Sequence, residues 1–233
     1  MIKIISFKIC PFVQRVTALL KAKQLPYEVE YISLSNKPDW FLALSPNGQV
    51  PVLITETGTA LFESDAIVEY LDDMSTPLQP TRSPEEKALD RAWSYQAAKH
   101  YLTQCATMRS ADESAYLKRK SQLAALWAKA EKQLEAGPFF KGDTLSNVDI
   151  AWLPLLHRSA IIEECSGHNL LEGYPKVQRW QQALLDTGLA RQSVAQDFTW
   201  AFTNFYLSEK TFLGTGRNCG DTADKACASG GCC

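Results

Sequence analysis

Residues 1–23 read MIKIISFKICPFVQRVTALLKAK, and their pattern decides the fold. Met1 to Phe7 is an apolar run of strand type, after which Phe12, Val16, Leu19 and Leu20 recur at helical spacing. Pro11 suits the first helical position, because its missing N–H would have no intrahelical partner there. A strand therefore hands over to a helix at Cys10. The sulfur is set beside unpaired N–H groups and the positive end of the helix dipole. Such a site favours thiolate over thiol, and thiolate is the nucleophile. The competing reading is a half-buried cysteine at a junction that does no chemistry.

Outward from this junction, the first 78 residues read strand, helix, strand, short helix, strand, strand, helix. The expected segments are Ile2–Phe7, Pro11–Lys23, Tyr27–Ile32, Asp39–Leu44, Val50–Ile54, Thr59–Phe62 and Ser64–Met74. A β-α-β start demands a parallel right-handed crossover, and the later hairpin adds antiparallel strands. The result is an α/β thioredoxin-like N-terminal domain with a mixed four-stranded sheet. A linker rich in Pro and polar residues, Ser75 to Arg82, closes it. Residues 84–208 then read as an all-α C-terminal domain. Ser83-Pro84-Glu85-Glu86 is a capping box, and Ser146-Asn147-Val148-Asp149 is a second one with Asp in place of Glu. The run after Asp149 is apolar on nearly every side, as in a helix at the centre of a bundle, and Pro154 is expected to kink it.

Composition narrows the function. The 233 residues carry 24 Lys+Arg against 26 Asp+Glu, so bulk charge does not point to nucleic acid. No stretch is apolar for long enough to span a bilayer, and the run before Lys8 is too short for a signal peptide. Cys10, Cys105 and Cys165 are scattered while Cys219, Cys227, Cys232 and Cys233 crowd the end, which is no disulfide framework. These features lead to an expected cytoplasmic location. There is no C-x-x-C, so a Cys10 disulfide must be resolved by an external thiol, and glutathione is the abundant one inside cells. His100, His157 and His168 stand apart from any cysteine or carboxylate cluster and read as structural, with no metal expected in the folded domains.

Two further constellations fit glutathione. In Gly48-Gln49-Val50-Pro51-Val52, a cis Val50–Pro51 bond would turn the Val50 backbone out of the sheet toward Cys10. There it could pair with the backbone of a bound cysteinyl peptide. The plainer reading is a proline that opens an edge strand. Glu63-Ser64-Asp65 straddles a strand end and a helix start, with Ser64 as a natural N-cap. That helix terminus can hold a carboxylate and Glu63 an ammonium group, the two groups of a γ-glutamyl moiety.

Cys10-Pro11-Phe12, residues Asn36 to Phe41, Ser45 to Leu53 and Phe62-Glu63-Ser64 together resemble a cytosolic glutathione transferase of the omega, cysteine-type class. The resemblance implies Cys10 as the nucleophile that forms a mixed disulfide with glutathione, with Phe12 packed beside it. It also implies Lys37 on the glycine carboxylate, the backbone of Val50 before Pro51 on the cysteinyl residue, and Glu63 with Ser64 on the γ-glutamyl end. By itself Lys37 reads as a solvated surface lysine. The implied activity is glutathione-dependent thiol transfer or dehydroascorbate-type reduction of a small-molecule or protein disulfide substrate. Conjugation to electrophiles ranks second, since a cysteine there would trap glutathione as a disulfide. The resemblance also implies a homodimer.

Two alternatives stay open. The chloride intracellular channel proteins resemble the same fold and share a Cys-Pro-Phe start with Gln14-Arg15 after it, but Arg15, Lys21 and Lys23 disfavour stable insertion of the first helix into a membrane. A regulatory protein that kept the fold without turnover is the other. An acceptor pocket is expected between the domains, with Tyr95, Tyr101, Trp152, Trp200, Phe202 and Phe205 as candidate walls. Residues 209–233 read as a flexible Cys-rich tail whose C-x7-C-x4-C-C spacing is open to no role, a soft metal, redox chemistry or a lipid.

Overall fold

A computed structural model describes residues 1–216. Strand β1 (Ile2–Ser6) leads into α1 (Pro11–Ala22), then β2 (Tyr27–Tyr31), α2 (Asp39–Leu44), β3 (Val52–Ile54), β4 (Ala60–Phe62) and α3 (Ser64–Asp73). The sheet order is β2-β1-β3-β4, with β1 and β2 parallel and the other two pairings antiparallel. This is the expected mixed four-stranded, thioredoxin-like sheet. Side chains alternate across it, so Ile4 and Ile5 are both buried but on opposite faces. Ile5 joins Phe41 of α2 and Val52 in a small cluster, while Ile4 joins the main core.

The helical part comprises α4 (Pro84–Met108), α5 (Glu113–Gln133), α6 (Asn147–Ser166), α7 (Pro175–Asp186), the short α8 (Leu189–Gln192) and α9 (Phe198–Tyr206). Both capping boxes form: Ser83 accepts from the Glu86 N–H, and Ser146 from that of Asp149. Asp149 does more than cap. Its buried carboxylate also accepts from the backbone N–H of Phe140 at 2.8 Å and of Ser146 at 2.8 Å. The Ser146 hydroxyl at 2.6 Å and the Trp180 indole at 2.6 Å complete its partners. Burial pushes this carboxyl above its ordinary value while those four donors pull it back. Helix α6 runs through Pro154 to Ser166. The Pro154 carbonyl accepts from the Arg158 guanidinium at 3.0 Å.

Helix α1 joins the two parts. Residues Val13 to Leu20 are all buried, against the sheet and α3 on one side and α6 on the other. One continuous hydrophobic cluster therefore runs from Ile4, Val16 and Leu19 to Trp127, Trp152 and Trp180.

The expectation of a flexible tail from residue 209 needs correction. Phe212–Gly214 form a 3-10 turn, Leu213 is buried in the main core, and Phe212 packs on Tyr116 and His168. A β-carbon on Gly214 would fall 2.0 Å from the Ser208 carbonyl oxygen, so only glycine fits this approach. The burial available to the Phe212-Leu213 pair outweighs the polar composition around it. Residues 217–233, with the four clustered cysteines, lie outside the described residues.

Candidate active site

Cys10 occupies the N-cap of α1 with extended backbone angles, and Pro11 is the first helical residue. The main chain turns tightly to place it, the Cys10 N–H donating to the Phe7 carbonyl at 3.0 Å. The Val50–Pro51 peptide is cis. Its neighbour Val50 presents its carbonyl oxygen 3.9 Å from the Cys10 sulfur. The edge-strand reading of Pro51 is thus superseded: the backbone of Val50 faces the cysteine.

Sheet register brings the next residues in. Val52 pairs with Phe62, so Glu63 and Ser64 lie beside Pro51 and Val50 at the same end of the sheet. Glu63, not Ser64, holds the N-cap position of α3. Ser64 is the buried first residue of the helix, one place later than expected. The cause is the backbone of Glu63, which has φ 65° and makes the turn that a cap residue in extended conformation would not. An acidic residue held at positive φ, with its side chain exposed at a helix N-terminus, is strain of the kind that accumulates at binding sites. Glu63 accepts from the Asn47 amide at 3.2 Å. Lys37 is half-buried and reaches the same rim, its ammonium 3.5 Å from where a β-carbon on Gly48 would stand. Gly48 has φ 58°, a conformation that suits glycine, and keeps this passage open.

Phe12 divides its roles. Its ring packs edge-on against Tyr101 of α4 with centroids 5.0 Å apart, so the side chain faces the helical part. Its backbone N–H faces the sulfur.

The electrostatics of Cys10 differ from the expectation of a favoured thiolate. Burial pushes the thiol up to about 11, while the N–H groups of Val13 and Phe12 and the Arg158 guanidinium pull it down. The helix terminus acts in the expected direction, but desolvation outweighs it. Cys105, the other free cysteine among the described residues, is also raised by burial. It accepts from the Tyr206 hydroxyl at 3.2 Å.

Sequence reasoning missed a layer beneath the cysteine. Gln14, one turn along α1, meets the ring of His157 at 2.9 Å and accepts from Arg158. Arg158 also donates to the Ile9 carbonyl at 3.2 Å. The signal was present: a fully buried arginine in an otherwise apolar helix needs a reason. Of the expected acceptor walls, Tyr101, Trp152 and Phe202 are core residues. Trp200 and Phe205 are exposed, and Phe205 meets Phe7 edge-on at 6.4 Å.

A cavity of ≈ 40 Å³ touches Cys10 and is lined also by Ser6, Lys8, Gln14, Tyr31 and Val194. Lys8 closes one side through an ion pair with Asp197 at 2.6 Å. A larger cavity of ≈ 110 Å³ lies where α3, the linker and α4 meet, but Cys10, Val50 and Lys37 take no part in it. Its charges pair with one another, as in Arg91–Glu69 and Arg82–Asp90, so it is not the site of the chemistry. Among the described residues no group of three or more His, Cys, Asp or Glu is placed to hold a metal ion, and no helix is long and apolar enough to cross a membrane.

Comparison with known proteins identifies the fold. The glutathione S-transferase N-terminal domain matches residues 9–74 and the C-terminal domain residues 109–183. The chain belongs to the glutathione S-transferase family, and the two matches fall in the sheet-containing and the helical part respectively. Within it, the chain is similar to glutathione S-transferase omega-1 of Sus scrofa, 30% identical over 214 residues, which cover 89% of this chain and 86% of that protein. It is also similar to the probable glutathione S-transferase DHAR1, cytosolic, of Oryza sativa subsp. japonica. That match is 32% identical over 178 residues, 75% of this chain and 79% of the relative. Among solved structures, glutathione transferase Omega 3C from Trametes versicolor superposes with a TM-score of 0.71 at 25% identity, covering 83% of this chain and 89% of that one.

Proposed function

We propose that Cys10 is the nucleophile of a glutathione-dependent thiol transferase that acts on small-molecule or protein disulfides and on dehydroascorbate-type oxidants. The observation that supports this most is the Cys10 sulfur at the N-terminus of α1, 3.9 Å from the carbonyl exposed by the cis Val50–Pro51 peptide. In one half-reaction the Cys10 thiolate attacks the glutathionyl sulfur of a mixed disulfide and expels the substrate thiolate. In the other, the thiolate of a second glutathione attacks the glutathionyl sulfur bound to Cys10, releasing oxidised glutathione and the Cys10 thiolate. This is ping-pong covalent catalysis.

The remaining residues fit the parts of glutathione. The Val50 backbone pairs with the cysteinyl residue, Lys37 with the glycine carboxylate, and Glu63 with the γ-glutamyl ammonium. The N–H groups opening α3 at Ser64 take the γ-glutamyl carboxylate. Binding also helps ionisation: a glutathione N–H on the Val50 oxygen removes the acceptor that the Cys10 thiol uses in the free protein. Conjugation to electrophiles is the lesser activity, since Cys10 would trap the glutathione sulfur. The functional form is a cytoplasmic homodimer, as the resemblance to omega transferases implies.

The test is glutathione-dependent reduction of hydroxyethyl disulfide by the full chain, by Cys10→Ser and by Cys105→Ser. Turnover lost only in Cys10→Ser supports the reading. Turnover that survives it, or that vanishes instead with Cys105→Ser, overturns it.

A further inference from the structure

Arg158 is fully buried, and among the described residues no carboxylate lies within ion-pair distance of it. An isolated charge in such a place is costly unless something balances it. Its guanidinium is held by neutral partners only. It donates to Gln14 Oε1, to the Pro154 carbonyl at 3.0 Å and to the Ile9 carbonyl at 3.2 Å. The rings of Phe198 and Phe202 lie beneath it at 5.3 and 5.9 Å. Two of these contacts bracket Cys10: Ile9 is the residue before it, and Gln14 closes the first turn of α1 by donating its N–H to the Cys10 carbonyl at 3.1 Å.

The acids around this cation are all weak ones. In order of their effect on it these are Cys105 of α4, Tyr206 of α9, the Cys10 thiol at the start of α1 and Tyr101 of α4. Burial holds these thiols and phenols in their neutral forms. Arg15 of α1, the other buried arginine among the described residues, already has Asp65, and His157 beside Arg158 is kept neutral by burial and by that same cation. The phenols are harder to ionise than the thiols, and only Cys10 of the two thiols stands at a helix N-terminus.

We propose that Arg158 is a positioning residue for thiol transfer, a fixed counter-charge whose anion is the thiolate of Cys10. It does its work when that thiolate attacks a disulfide and again when Cys10 leaves from the mixed disulfide with glutathione. This rests on Cys10 as the nucleophile. It adds that the free protein carries an unbalanced buried cation which is neutralised only during the reaction.

The experiment is peptide-resolved alkylation of Cys10 by iodoacetamide in the full chain, comparing the wild type with Arg158→Met and Arg158→Lys. Removing the cation lowers the thiolate fraction at every pH below the thiol's own value. Arg158→Met is therefore expected to slow Cys10 alkylation at pH 7.5 by about tenfold, one unit of thiol acidity, and to displace the rate–pH line upward in pH by the same amount. Arg158→Lys keeps the charge and is expected to stay within about threefold of the wild type. Loss of structure would expose Cys10 and speed alkylation, the opposite sign, so folding damage cannot imitate the result. Wild-type or faster alkylation in a folded Arg158→Met protein overturns the proposal. So does a tenfold loss in a folded Arg158→Lys protein, which decides the matter alone if the Met variant does not fold. Alkylation reads the sulfur whether or not Cys10 carries turnover. Failure of the nucleophile reading shows itself separately, as turnover that survives Cys10→Ser.

Discussion

Replacing Glu63 with glycine and with glutamine separates its backbone from its charge. Glu63 sits at φ 65°, where a residue with a β-carbon costs on the order of 1–3 kcal/mol. Glycine removes that strain but loses roughly 0.5–1 kcal/mol more backbone entropy on folding. The exposed bond from Asn47 at 3.2 Å is worth roughly 0.5 kcal/mol and is lost as well. Taking the middle of these ranges, Glu63→Gly gains about 0.5–1 kcal/mol, a Tm rise of about 1–4 °C for a chain of this size. Glu63→Gln keeps the strained backbone and should leave Tm within about 1 °C. Both variants lose the carboxylate proposed to hold the ammonium of glutathione. An exposed pair of that kind is worth about 1 kcal/mol, so each should weaken glutathione binding about fivefold. Thermal unfolding followed by tryptophan fluorescence and calorimetric titration with glutathione supply the two readouts. A lower Tm for Glu63→Gly, or an equal gain for Glu63→Gln, would refute the strain argument. Unchanged binding in both would refute the assignment of the charge.

Further expectations follow from the same geometry. Because burial raises the Cys10 thiol to about 11, alkylation of Cys10 in the free protein should climb about tenfold per pH unit from pH 7 to 10; a plateau near neutrality would contradict this. His157 is held neutral, its value lowered to about 3, so the unfolded chain binds the extra proton between about 3 and 6.5. Stability should therefore fall as pH drops through that window, by about 1.4 kcal/mol per unit from this group, and His157→Gln should show a shallower loss in urea unfolding at pH 4.5. Asp149→Asn replaces one acceptor oxygen with an amide that faces two buried donors, which should cost about 2–4 kcal/mol and lower Tm by roughly 4–16 °C. Lys37→Gln should raise the KM for glutathione by about threefold to tenfold with little change in kcat, measured by steady-state disulfide reduction.

Much of the fold was readable wherever a local rule and the tertiary structure agree. Pro11 and Pro84 open their helices, and Ser83 with Glu86 and Ser146 with Asp149 form their boxes, because these signals act within one turn. The cis Val50–Pro51 peptide was also anticipated, from a proline where an apolar strand begins. The shift of the cap from Ser64 to Glu63 was not, since nothing in the residue type announces a positive φ at glutamate. The raised Cys10 thiol was equally hidden, because desolvation depends on what α4 and α6 lay over it, not on its neighbours in sequence. Arg158 was passed over inside an apolar run, where periodicity registers burial but not the charge that is buried. Phe212-Leu213 was a missed apolar pair in a polar context, docked within the stretch expected to be tail.

Helix α1 is walled in along its length, from Val13 to Leu20, by partners drawn from both halves of the protein. It is a keystone. A helix with one dry face can peel away and enter a lipid surface while the remainder holds together. This one cannot be withdrawn without opening the sheet and the bundle at once and parting Arg15 from Asp65 and Lys23 from Asp72. Any role at a membrane that requires this segment to migrate must first open the sheet-containing half and the helical half together.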